Sequence, residues 1–110
     1  MTVADSSPLI ALSRTDAFHL LRPLFGNILI PPAVFDEVVT KGRARPGAFE
    51  VRQAMDDGWM HLKSPARLLT PPYGPMRLGE VQALSLAKEL GSSILLDENP
   101  ARRRASIENI

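Results

Sequence analysis

Thr2-Val3-Ala4-Asp5-Ser6-Ser7-Pro8-Leu9-Ile10 changes character at Asp5. Thr2-Val3-Ala4 reads as a short buried strand. Pro8 suits the first position of a helix, with Ser7 as its cap, and that helix runs to about Ser13. Under this assignment the Asp5 side chain is left free at the end of a strand. The competing reading makes Asp5 itself an Asx turn or helix cap.

Working outward, Asp16 is placed as the cap of a second helix through Phe18, Leu20, Leu21 and Leu24, ended by the Gly26-Asn27 turn. Ile28-Leu29-Ile30 is a buried strand, and Pro31-Pro32 opens a helix from Ala33 to Thr40. Residues 41–47 read as a basic, flexible loop. Ala48 to Asp57 reads as a helix with Phe49, Val51, the Arg52 stem and Met55 near one face. Trp59-Met60-His61-Leu62 alternates like a strand, with Trp59 in the core. Residues 64–77 hold four prolines and no period, as a long connection would. Gly79 to Leu90 is the clearest helix, with Val81, Leu84, the Lys88 stem, Ala83, Leu86, Ala87 and Leu90 forming its stripe and Gly91 its C-cap. Ser93-Ile94-Leu95-Leu96 is a fourth strand, and Pro100 opens a last helix. Strands alternating with helices predict an α/β fold, a mostly parallel sheet covered on both faces.

The 110 residues suffice for one domain, taken as residues 1–110. A net charge of +1 implies no general attraction to polyanions or membranes. Without cysteine there is no disulfide or thiolate site, which fits a reducing cytoplasm. No signal peptide and no membrane span is expected, because Asp5 interrupts the opening segment and no apolar run is long enough.

In parallel sheets, sites form outside the carboxyl ends of the strands. Acidic residues cluster after the strands here. Asp5 ends the first and Asp97 the fourth. Glu37 lies in the helix after the second strand, with Asp36 as its competitor. Glu80 lies in the first turn of the clearest helix, where a dipole partner is the plain alternative. Carboxylates sharing one cleft repel unless some protonate or a cation holds them. An all-oxygen set selects Mg²⁺ or Mn²⁺ over Zn²⁺. The matching chemistry is phosphodiester hydrolysis.

At these residues the chain resembles the PIN-domain family of metal-dependent ribonucleases, and more narrowly its prokaryotic VapC-like toxin branch. The resemblance rests on four segments in order: Val3-Ala4-Asp5-Ser6-Ser7-Pro8-Leu9-Ile10-Ala11-Leu12; Phe25-Gly26-Asn27-Ile28-Leu29-Ile30-Pro31 with Val34-Phe35-Asp36-Glu37-Val38; Leu78-Gly79-Glu80-Val81-Gln82-Ala83-Leu84; and Leu95-Leu96-Asp97-Glu98-Asn99-Pro100-Ala101-Arg102. It implies a three-layer α/β/α domain whose metal and catalytic acids are Asp5, Glu37, Glu80 and Asp97, with Glu98 reaching a second metal. The hydroxyl that supports metal-bound water falls on Ser7, or second on Ser6. Gln82 stands where the family usually has another acid. The branch continues with an edge strand and a terminal helix, whereas this chain stops at Ile110. The resemblance therefore also implies a partner over that edge, such as a second copy in a homodimer.

Arg43 and Arg45 in the basic loop, and Arg102 and Arg103 after the fourth strand, are candidate contacts for RNA phosphates; a linker and a solvated helix face are the plain alternatives. His19 and His61 read as packing or surface residues. Taken together, the expectation is a cytoplasmic Mg²⁺- or Mn²⁺-dependent endoribonuclease, the toxin of a pair held inactive by an antitoxin protein. The rival is a non-catalytic, truncated PIN-like module acting through protein contacts or dimerisation.

Overall fold

A computed structural model describes residues 1–69 and 76–96. Four short strands, β1 (Thr2–Ala4), β2 (Ile28–Ile30), β3 (Met60–Leu62) and β4 (Ser93–Leu95), form one sheet in the order β3-β2-β1-β4. Every pairing is parallel, with Val3 opposite Leu29 on one side and Ile94 on the other. All four carboxyl ends therefore lie along one edge of the sheet.

The strands alternate between two apolar layers, as period two requires. Ala4, Ile28, Ile30 and Met60 pack with Leu9, Leu21, Val34, Val38 and Val51. These come from α1 (Ser6–Arg14), α2 (Leu21–Phe25), α3 (Pro32–Phe35, continuing to Thr40) and α4 (Ala48–Asp56). Val3 and Leu29 face the opposite way, onto Ala83, Leu86 and Ala87 of α5 (Leu78–Leu90). This is the α/β architecture expected, with helices on both faces of the sheet. Leu84 on α5 packs separately beneath Leu69, Met76 and Leu96. Gly91 closes α5 in the left-handed region at φ 62°, as its C-cap role requires. Val81 is half-buried, while Lys88 and Leu90 are exposed, so the buried stripe of α5 is narrower than the sequence suggested.

Three local assignments are corrected. Ser7 does not cap α1: the helix starts at Ser6, and Asp5 is the capping residue. Asp16 does not cap a following helix either. It sits at φ 60°, donates its N–H to the Ser13 carbonyl, and Ala17 donates to Leu12. That pair of bonds closes the C-terminus of α1, a role a short polar side chain tolerates in place of glycine. Phe49 is 72% exposed, because the inward stripe of α4 is Ala48, Val51 and Ala54. Phe49 lies one residue, about 100° of helical rotation, off that stripe.

The helix after β2 also differs in kind. Asp36 to Thr40 is π-helical, and Lys41 donates its N–H to the Asp36 carbonyl at 2.8 Å. Such wide turns are rare and recur at functional positions. The loop after this turn is not uniformly loose: Gly42 is buried against the Val38 carbonyl. Trp59 is buried as expected and stacks obliquely on Phe18, while His19 and His61 are exposed. Among the described residues no helix is long and apolar enough to cross a membrane.

Candidate active site

Asp5 follows β1, a central strand, and its backbone N–H donates to the Leu95 carbonyl at the end of β4. This bond ties the first acid to the strand that leads to Asp97. The Asp5 side chain is 1% exposed. Its Oδ1 accepts the Ser6 backbone N–H at 2.8 Å, the N-cap bond of α1. Among the described residues its Oδ2 is buried without a hydrogen-bond partner, and so is the adjacent Ser6 Oγ. A carboxylate has two oxygens, so capping and ligation do not compete: one oxygen caps and the other stays open.

Burial raises the Asp5 carboxyl from 3.8 to about 6. The Ser6 hydrogen bond opposes that rise. The negative charges of Glu80 and then Glu37 add to it, and the Arg77 guanidinium reduces it. Three of the four predicted acids are therefore near enough to interact electrostatically. Glu80 is half-buried in the first turn of α5. Its neighbour Gly79 lets that turn approach β1: a Cβ there would lie 3.8 Å from Asp5 Oδ1 and 3.4 Å from a Val34 methyl.

Glu37 sits in the π-helical turn and forms an ion pair with Arg77, Nη1 to Oε2 at 3.4 Å. Its neighbour Asp36 pairs with Lys41 at 3.4 Å. These groups wall a cleft of about 530 Å³ between α3 and the start of α5, together with Gly79 and Gln82. Gln82 is half-buried, and its Oε1 accepts the Ala33 backbone N–H at 2.9 Å. It joins the two acid-bearing helices. A smaller cleft of about 320 Å³ lies beside the Phe18–Trp59 pair. It contains none of the predicted acids and is remote from the strand ends that gather them.

The donor set is entirely oxygen, the kind a hard divalent cation takes. The open Asp5 Oδ2 fits a cation, since a buried acceptor without a partner is costly. Among the described residues no three of His, Asp and Glu come within joint reach of one ion. Asp97 and Glu98, assigned as ligands from the sequence, lie outside the described residues, as do Arg102 and Arg103. Arg43 and Arg45 are exposed and do not line the cleft.

Two residues of the cleft were missed in the sequence. Arg77 stands immediately before α5, three positions ahead of Glu80, where only its charge could have drawn attention. Gln82 was read only as a lost acid. Of the two candidate hydroxyls, Ser6 rather than Ser7 is the fully buried one.

A search of curated proteins and a search of solved structures return no match. A family model described as PIN domain matches residues 1–110. PIN domains are generally nucleases, and they generally use divalent metal ions. The match spans the whole chain, including every acid discussed above, and the chain belongs to the PIN-domain family.

Proposed function

We propose that the chain is a Mg²⁺- or Mn²⁺-dependent endoribonuclease, the toxin of a type II toxin–antitoxin pair. The observation that carries this reading is Asp5: a buried carboxylate with one oxygen open, within the fields of Glu80 and Glu37. Asp5, Glu37, Glu80 and Asp97 would hold the ion, with Glu98 extending the set. When bound, the ion supplies an acidified water and neutralises charge developing on the phosphate. The chain's own residues do the positioning. Ser6, or Ser7, would orient that water, and Arg43, Arg45, Arg102 and Arg103 would steer the RNA backbone. No side-chain nucleophile is required. The reading includes a cytoplasmic location, homodimerisation, and an antitoxin protein covering the acidic cleft.

A second reading, a non-catalytic module acting through protein contacts, is favoured by two observations. Glu37 is already paired with Arg77, and no three acids meet among the described residues. RNA cleavage assayed with and without Mn²⁺ separates the two, with Asp5→Asn and Asp97→Asn as controls. The enzyme reading expects metal-dependent cleavage lost in both variants. Metal-independent cleavage, or cleavage equal in the variants, rejects it.

A further inference from the structure

We propose that Arg77 is a phosphate-binding residue for single-stranded RNA, held in reserve by Glu37 until a divalent cation takes that carboxylate. The inference deepens the nuclease reading above and rests on it. Three observations lead to it. Arg77, the residue before α5, and Glu37, in the π-helical turn, meet across the wall of the cleft at 3.4 Å. The Arg77 side chain is 76% exposed and that of Glu37 32%, so water reaches both partners. An ion pair this exposed is weak and exchanges readily. The open Asp5 Oδ2, buried nearby, supplies the independent sign that a cation belongs at this end of the sheet.

The physical consequence is an exchange of partners. One carboxylate of Glu37 cannot serve a dication and a guanidinium equally well. A dication drawn to Asp5 Oδ2 and to Glu37 outweighs a single exposed positive charge and also repels it. The released guanidinium stays at the cleft rim, because its backbone is fixed as the residue preceding α5. A guanidinium prefers the two-pronged geometry of a phosphate to solvent. Arg77 thus ties RNA binding to metal loading, and it keeps the cleft neutral when no metal is present. Lys41 lines the same cleft but pairs with Asp36, which no other feature links to the ion.

The test measures binding, not cleavage. A phosphorothioate single-stranded RNA, which resists hydrolysis, is titrated in EDTA into wild type, Glu37→Gln and Glu37→Gln/Arg77→Ala. Freeing one cation to meet one phosphate should tighten binding of Glu37→Gln about fivefold near 0.1 M salt. The dependence of log K on log salt should steepen by about 0.7. The double variant should return to the wild-type value. No gain in Glu37→Gln, or an equal gain in the double variant, overturns the proposal. In parallel, Mn²⁺ should bind Arg77→Ala about two- to fivefold more tightly than wild type, and Arg77→Lys as wild type. Equal Mn²⁺ affinity in Arg77→Ala overturns the reserve role of Glu37. If Mn²⁺ leaves wild type unaffected while Glu37→Gln still gains RNA affinity, the metal reading fails and the phosphate role of Arg77 stands. Arg77 is exposed, so its variants should fold.

Discussion

Gln82 Oε1 accepts the backbone N–H of Ala33 at 2.9 Å. The bond joins α5 to the opening turn of the helix carrying Glu37, one of the N–H groups a helix cannot satisfy by itself. The Gln82 amide thus ties the helix that carries Glu80 to the helix that leads into Glu37.

Gln82→Ala should cost about 1 kcal/mol, the usual net value of one such bond. For a domain of this size that lowers Tm by roughly 4–8 °C. Thermal denaturation followed by circular dichroism checks it. An unchanged Tm would mean that water replaces the amide without loss.

Asp5 makes the wild type sensitive to pH. Its folded-state value of about 6 lies above the ordinary 3.8, so the native state holds the proton more tightly than the unfolded chain does. The stability it contributes is complete below pH 3.8 and is lost as pH rises through about 6. Asn keeps a capping oxygen for Ser6 and carries no charge. Asp5→Asn should therefore be more stable than wild type at pH 7, by on the order of 2–3 kcal/mol, with the gap closing by about pH 4. Urea denaturation of both proteins across this range measures the difference. A gap independent of pH would show that Asp5 carries no such strain.

Mn²⁺ should act in the opposite direction at the same residue. It binds the ionised carboxyl, so its stabilising effect should be larger near pH 7.5 than near pH 5. Melting temperature with and without Mn²⁺ reports this in wild type. Asp5→Asn should show little response at either pH, and a full response there would remove Asp5 from the metal site.

Ser6→Ala distinguishes a ligand-directed hydroxyl from a structural one. The Ser6 Oγ is buried and has no partner among the described residues, so deleting it should leave the metal-free protein as stable as wild type, or up to about 1 kcal/mol more stable. If the hydroxyl supports water on the ion, the same change should reduce the Mn²⁺-induced rise in Tm. Loss of stability without metal would instead mark a packing role.

Gly42 and Gly79 should respond unequally to alanine. At Gly42 a Cβ would clash with the Val38 carbonyl oxygen, and a backbone atom cannot step aside. Gly42→Ala should cost about 1–3 kcal/mol. At Gly79 the nearest contact is a Val34 methyl at 3.4 Å, so Gly79→Ala should stay within about 0.5 kcal/mol. Denaturant midpoints of the two variants check the pair. Similar midpoints would show that the loop after the π-helical turn yields.

The sequence alone determined the order of strands and helices. The short apolar runs Thr2–Ala4, Ile28–Ile30 and Ser93–Leu95 appear as strands, and Gly91 ends α5 where its composition says it must. Those features are local: burial on both faces removes polar residues from a strand, and a left-handed position selects glycine. Acids after those strands were legible for the same reason, since a parallel sheet gathers its carboxyl ends along one edge. Tertiary structure decided which atoms are available. The local sequence favours Ser7 over Asp5 as the cap, and only the start of α1 at Ser6 gave one Asp5 oxygen to the helix and left the other open. The Arg77–Glu37 and Gln82–Ala33 contacts join residues 40 and 49 positions apart, so no local pattern encodes them. They arise because α3 and α5, on opposite faces of the sheet, meet beyond the end of β1.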